Sequence, residues 1–234
     1  MVASVSLSTL HSLPSFRPGI AYVLDALYLA PTSRSPCANT MRSCRGSTFA
    51  RTAEGLAPLP KSRVTKTKVE ASGSGFVPLP KGSPEPTSFE LNQLLRDWIA
   101  ATNSSRIIFQ GEGDPLAAQG VVVDTLLLAS GSGAAFRLNT LGVGVNDETF
   151  EALKRVDGVS VFLPAAEAEK YDDLMKPLSP GCFEDACAFV ERAAASGVRV
   201  EVTAVDRPDV VVADVEKLAK SLGASDFRTR SWLG

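Results

Sequence analysis

Residues 111–115 read Gly-Glu-Gly-Asp-Pro and directly follow a short apolar stretch, Arg106 to Phe109. Two glycines flanking an acid let the backbone approach a ligand closely, because glycine carries no Cβ. Glu112 and Asp114 could then accept hydrogen bonds from an ammonium group. The same five residues also read as a tight turn, with Asp114-Pro115 opening a helix. Other chemistries are excluded by residue type. His11 is the single histidine and lies near the N-terminus, so the body of the chain has no Ser-His-Asp or Cys-His site and no His-based metal box. No GxxxxGK[ST] phosphate loop occurs, and Gly111, Gly113, Gly131 and Gly142 complete no GxGxxG fingerprint.

Four cysteines, Cys37, Cys44, Cys182 and Cys187, are too few for a disulfide framework in a chain of 234 residues. They imply a reducing compartment. Cys182 and Cys187 sit five residues apart on one predicted helix, Cys187 on its apolar face, and read as buried structural thiols. The string Val121-Val-Val-Asp124-Thr-Leu-Leu looks like the opening strand of a metal-dependent nuclease. With no second acidic cluster in register, Asp124 on a helix face is the simpler account.

The elements that must position these residues follow from periodicity. Ile20 to Ala30 is an apolar, strand-favouring run. Leu91, Leu94, Leu95, Trp98 and Ile99 recur at helical spacing after Thr87 or Ser88, a plausible cap. A strand over 106–109, a helix over 116–130 and a strand over 135–139 come next. Helices are predicted over 147–156, 167–175, 183–194 and 211–222, with strands over 159–163, 198–205 and 227–232. Strands alternating with helices imply a parallel sheet, with ligands at the carboxyl ends of the strands. The residues to examine are therefore GEGDP, Asn139-Thr140-Leu-Gly, Pro164-Ala and Asp206-Arg-Pro.

The chain divides into a leader or disordered terminus (1–19), a first strand and its loop (20–50), a Pro/Gly/Ser-rich basic linker (51–87) and α/β units (88–234). The first nineteen residues hold five serines, one arginine and no acid, compatible with an organelle transit peptide as well as with a frayed terminus. Composition is that of a soluble globular protein, 44% hydrophobic and 21% charged. A net charge of −2 and a pI near 5.6 give no reason to expect nucleic acid as a partner. No run reaches the ~20 apolar residues of a membrane helix. The expected partner is a small molecule, and the expected location cytoplasmic or organellar.

The order LYLAPTSR, IIFQGEGDP, FRLNTLG, VSVFLPA, EKYDDLMKP, FEDACAFV, VEVTAVDRP and LAKSLGASDFRTRSW resembles the radical SAM superfamily, and more narrowly the branch associated with TatD-type nucleases. The resemblance spans about 21–232 and is weakest over 51–87. It implies an α/β fold, a partial TIM-type (β/α)6 barrel of parallel strands, here with its first unit degraded. It also implies that Gly111, Glu112, Gly113, Asp114 and Pro115 contact the amino group of S-adenosylmethionine, with Asn139 and Thr140 facing the same cavity. The family holds a 4Fe-4S cluster on three cysteines of a CxxxCxxC loop after strand one. Aligned from LYLAPTSR, those positions fall on Ser35, Asn39 and Arg42. Shifted by two residues they fall on Cys37, Met41 and Cys44, with a thioether in the middle.

Two functions follow. One is a radical enzyme using a 4Fe-4S cluster and S-adenosylmethionine, with Cys37 and Cys44 as partial metal ligands. The other is a cluster-free, cofactor-free descendant acting as a binding or regulatory module. In that case the GEGDP rim and Arg34, Arg42 and Arg45 would hold a small anionic or nucleotide-like ligand.

Overall fold

A computed structural model describes residues 7–23, 26–38 and 79–231. Seven strands form one sheet in chain order. β1 (Ala21–Val23) and β2 (Leu27–Leu29) pair antiparallel, Tyr22 opposite Tyr28. From β2 onward every pairing is parallel, through β3 (Arg106–Phe109), β4 (Ala135–Thr140), β5 (Gly158–Phe162), β6 (Val200–Asp206) and β7 (Asp226–Ser231). Six parallel strands in sequential order are the arrangement of a partial (β/α)6 barrel. No described strand joins β1 to β7, so the sheet stays open.

The helices are α1 (Leu7–Ser12), α2 (Ser88–Thr102), α3 (Gln119–Leu128), α4 (Asp147–Leu153), α5 (Ala168–Met175), α6 (Cys182–Ala195) and α7 (Val212–Ser221). α2 starts where its chemistry dictates. Thr87 and Glu90 form a reciprocal capping box, and Leu91, Leu94, Leu95 and Trp98 place one buried stripe on the sheet. The first unit therefore has its strand, β2, and its helix, α2. What is unusual in it is the long connection between them, of which residues 39–78 lie outside the described part.

Three expectations change in detail. Ile20 to Ala30 is two short antiparallel strands instead of one strand, with residues 24–25 outside the description. The helix expected from Leu116 begins as a 3-10 turn, Pro115–Ala118, capped by Asp114, and continues as α3 with Asp124 exposed on it. The segment read as a leader contains α1, and Leu10 and Leu13 are buried in the main core. Beyond α1, Ser15 Oγ donates to Asp97 (2.5 Å) and Arg17 Nε to Glu90 (3.2 Å), both on α2.

The two faces of the sheet differ. Leu27, Leu29, Ile107, Phe109, Phe136, Leu138, Val159, Val161, Val200 and Val202 face the helices and belong to one apolar core. Tyr28 and Ile108 belong to a second, much smaller apolar cluster with Ala26. The positions alternating with the main core carry Gln110, Arg137, Asn139, Ser160, Glu201, Thr203 and Arg228. Buried parallel strands normally read apolar on both faces. Here one face is polar, and that face is the concave side of the open barrel.

Candidate functional site

The segment after β2 is a strap across the carboxyl ends of the strands. Its Arg34 carbonyl accepts from Asp114 N (2.8 Å), beyond β3. Farther along, Ala38 N donates to the Lys176 carbonyl (2.9 Å), Leu178 N donates to the Pro36 carbonyl (2.9 Å), and Cys37 bridges to Pro177, beyond β5. Arg34 pairs bidentately with Glu85 through one guanidinium edge, Nε to Oε1 (2.9 Å) and Nη2 to Oε2 (3.0 Å). Thr32 also donates to Glu85. Arg34, followed by the Thr32 hydroxyl, overcomes partial burial and holds the Glu85 carboxyl below its ordinary range. Arg34, expected to face an anion, is committed to this internal pair. Arg42 and Arg45 lie outside the described residues.

The GEGDP loop packs directly beneath the strap. A Cβ on Gly111 would stand 2.3 Å from the Ala30 Cβ, and one on Gly113 would stand 2.3 Å from the Arg34 carbonyl oxygen. The two glycines thus permit close approach between two loops of the chain itself. Asp114 is buried and ties its own loop to the end of β4. Its Oδ1 accepts from Leu116 N (2.9 Å) and Thr140 Oγ1 (2.7 Å), its Oδ2 from Leu141 N (2.6 Å). The turn-and-cap reading of Asp114-Pro115 matches this geometry.

Gly111, Glu112, Gly113, Asp114, Pro115, Asn139 and Thr140 come together around one narrow cleft, open to solvent, whose interior holds about 30 Å3 of water-accessible space. Ser35 of the strap closes one side, and Gln110, Ser160, Phe162, Thr203 and Arg230 complete the lining. Gln110 is 3% exposed. Asn139 Nδ2 donates to its Oε1 (2.5 Å), while Gln110 Nε2 and Asn139 Oδ1, both buried, have no partner. Next to them Glu201 Oε1 accepts from Ser160 Oγ, Arg137 Nη2 and Arg228 Nη2, each at 2.9 Å. Burial pushes the Glu201 carboxyl up, but Arg228 and Arg137 outweigh it and leave it below its usual range.

Sequence reasoning missed Gln110, Arg137, Ser160, Glu201 and Arg228. A signal was present: strands such as Val200-Glu-Val-Thr and Phe136-Arg-Leu-Asn alternate apolar with polar, which marks a wetted face in a sheet otherwise covered by helices.

The cysteines are placed differently from the cluster expectation. Cys37 is 3% exposed, its Sγ 4.0 Å from Tyr171 Oη, within the main apolar core. Burial, then the adjacent Cys182, pushes its thiol up to about 12. Cys182, remote in sequence, is thus its neighbour in space. It is buried as expected, whereas Cys187 is only half-buried. Cys44 lies outside the described residues. A cluster ligand must present its sulfur to the metal, and the Cys37 Sγ is turned into the apolar core against Tyr171. Among the described residues, no group of three or more His, Cys, Asp or Glu is arranged to hold a metal. No described helix is long and apolar enough to cross a membrane.

No protein-family model and no curated protein matches the sequence. Solved structures do match the fold. SuiB of Streptococcus suis bound to S-adenosylmethionine superimposes with a TM-score of 0.59 at 10% identity, over 90% of this chain and 42% of that one. The protein anSMEcpe with bound AdoMet gives 0.58 at 15% identity, over 88% and 52%. The radical S-adenosylmethionine methyltransferase TsrM of Kitasatospora setae, with cobalamin and a 4Fe-4S cluster, gives 0.53 at 14%, over 86% and 36%. The chain spans about half, or less, of the length of these three neighbours. The fold is therefore that of radical SAM enzymes, and the narrower likeness to the TatD-associated branch finds no support.

Proposed function

We propose that this chain binds a small polar molecule in the cavity beneath the strap and does so without an iron cluster held by Cys37. The observation carrying this reading is the position of Cys37. The one cysteine of the described strap is a buried neutral thiol against Tyr171 and Cys182, while the cavity lies under Ser35. S-adenosylmethionine is the first candidate ligand, because two structural neighbours hold it and GEGDP with Asn139 and Thr140 lines this chain's cavity. Glu112 lines the same cleft, and its carboxylate is an acceptor that an ammonium group can donate to.

The test has two arms on the full chain. After anaerobic reconstitution, iron and sulfide are expected to stay far below one cluster per chain and to be unchanged by Cys37→Ala. A full complement of iron, with a visible absorbance band lost in Cys37→Ala, would establish the competing reading, a radical enzyme. Calorimetry with S-adenosylmethionine is expected to give saturable binding that Glu112→Ala weakens severalfold. No heat with the wild type would remove S-adenosylmethionine as the ligand.

A further inference from the structure

A second hollow opens on the carboxyl-end rim, between the loops that follow β5 and β6, and holds about 140 Å3 of water-accessible space. A single water needs only about 10–15 Å3 on that measure, so there is room for an aliphatic side chain. Ala165, Ala166, Val210, Val211 and Val215 line it. Val211 is 64% exposed, although burying an aliphatic side chain is favourable. The mouth is acidic. Asp209 is taken by Lys170 and Arg207. Glu167 and Asp214 line the same hollow, and among the described residues neither carboxylate has a hydrogen bond or ion pair. Residues 165–176 and 206–216, which build this side of the rim, carry eight acids against three bases in a chain of net charge −2. An apolar seat ringed by negative charge calls for an occupant that is basic and offers an aliphatic side chain.

The chain itself carries such a segment. Residues 39–78 hold seven bases and two acids. The strap brings the chain to the acidic side of the rim, where Ala38 N donates to the Lys176 carbonyl at the end of α5. From there α5 runs back 8 residues, about 12 Å, to the hollow. Within the segment, Ala57-Pro-Leu-Pro-Lys-Ser nearly repeats Val77-Pro-Leu-Pro-Lys-Gly. The later copy shows what the motif does. Its Leu79 packs on the main core over Gly19, with its N–H on Ser33 Oγ (2.8 Å), while Lys81 stays exposed. A proline on each side of the leucine fixes φ there, so seating it costs little further ordering.

We infer that the earlier copy docks in this hollow, Leu59 entering against Val211 and Val215 while Lys61 and Arg63 face Glu167 and Asp214. The partners share one chain, so they meet at an effective concentration on the order of millimolar. The 20 residues between Ala38 and Leu59 reach at most about 70 Å when extended, several times the span required. Exposed ion pairs contribute little singly. Leu59 therefore supplies the fixed point, and the charges select the face. The contact is independent of what the cleft binds.

The experiment compares the full chain with two variants, Leu59→Ser and the pair Lys61→Ser with Arg63→Ser. The backbone amides of Ala166, Val211 and Asp214, followed by 15N–1H NMR, are expected to shift in both variants while those of β3 to β5 stay in place. Raising salt from about 0.05 to about 0.5 M is expected to move the wild-type signals towards those of the variants. A water-soluble carbodiimide is expected to join Lys61 Nζ to the Glu167 or Asp214 carboxylate as an amide, with loss of one water, read by peptide mass spectrometry. Val211→Ser, at an exposed position, is expected to cut that crosslink about threefold or more. In an equal mixture of 14N and 15N chains the crosslinked peptides are expected to carry one isotope only. Crosslinks of mixed isotope in statistical proportion would assign the hollow to a second copy. Spectra at the hollow that are identical in wild type and variants would leave it to a separate partner. Either result, or a crosslink yield unchanged by Val211→Ser, overturns the inference.

Discussion

Asp114 holds three loop groups with one carboxylate, and its removal strands all three. Asp114→Ala leaves Leu116 N, Thr140 Oγ1 and Leu141 N without their acceptor in a buried setting. A loss of about 2–4 kcal/mol is expected, read as a lower urea midpoint at unchanged slope. Glu201 gives a pH signature instead. Its carboxyl is depressed in the folded state, so its contribution is complete above the unfolded value of about 4.3. It is lost as pH falls through the lower, folded value. The stability gap between the wild type and Glu201→Gln should be constant from neutral pH to about pH 5 and shrink below pH 4. A gap that widens with acid would reverse the assignment. Cys37, pushed up to about 12 by burial and Cys182, is expected to resist iodoacetamide at pH 8 until the chain is unfolded, as peptide mass spectrometry would show.

At the scale of elements, the strap and the GEGDP loop are fitted to each other. Gly113→Ala would place a Cβ 2.3 Å from the Arg34 carbonyl and 2.6 Å from the Ser33 carbonyl carbon, both backbone, so no side-chain rotation relieves it. Faster amide exchange over 30–38, with β4 to β6 unchanged, is the expected result. The N-terminal segment is the second such contact. Leu10 and Leu13 are buried in the main core, so a chain starting at residue 20 should lose roughly 3 kcal/mol or more in a denaturant titration. The apolar stripe of α2 is legible in the sequence, whereas its cap, open between Thr87 and Ser88, is decided by the Thr87–Glu90 pairing. Ile20 to Ala30 was not legible, because one apolar strand and two three-residue strands share a composition and differ only in a chain reversal. The 3-10 start of α3 escaped because Asp114-Pro115 signals a helix start without specifying its pitch.

At the scale of the molecule, parallel order was readable from strand–helix alternation, and it brought GEGDP, Asn139 and Thr140 to one rim. The polar concave face was harder to see. Arg137, Glu201 and Arg228 meet only through the registers of β4 to β7, and register is not written in any single strand. The Cys37–Cys182 proximity was hidden for the same reason, since sequence separation says little about distance once a strap crosses the sheet.

The strap's anchoring bears on the long connection that follows it. Ser33 Oγ accepts from Leu79 N (2.8 Å) and Arg34 clasps Glu85, so the chain returns close to where it left. The described ends on either side of residues 39–78 are thus held close together by these contacts. Closing such a detour costs only slightly more as it lengthens. Replacing residues 40–77 by a short Gly-Ser linker should leave cooperative unfolding intact, with a urea midpoint close to that of the parent chain.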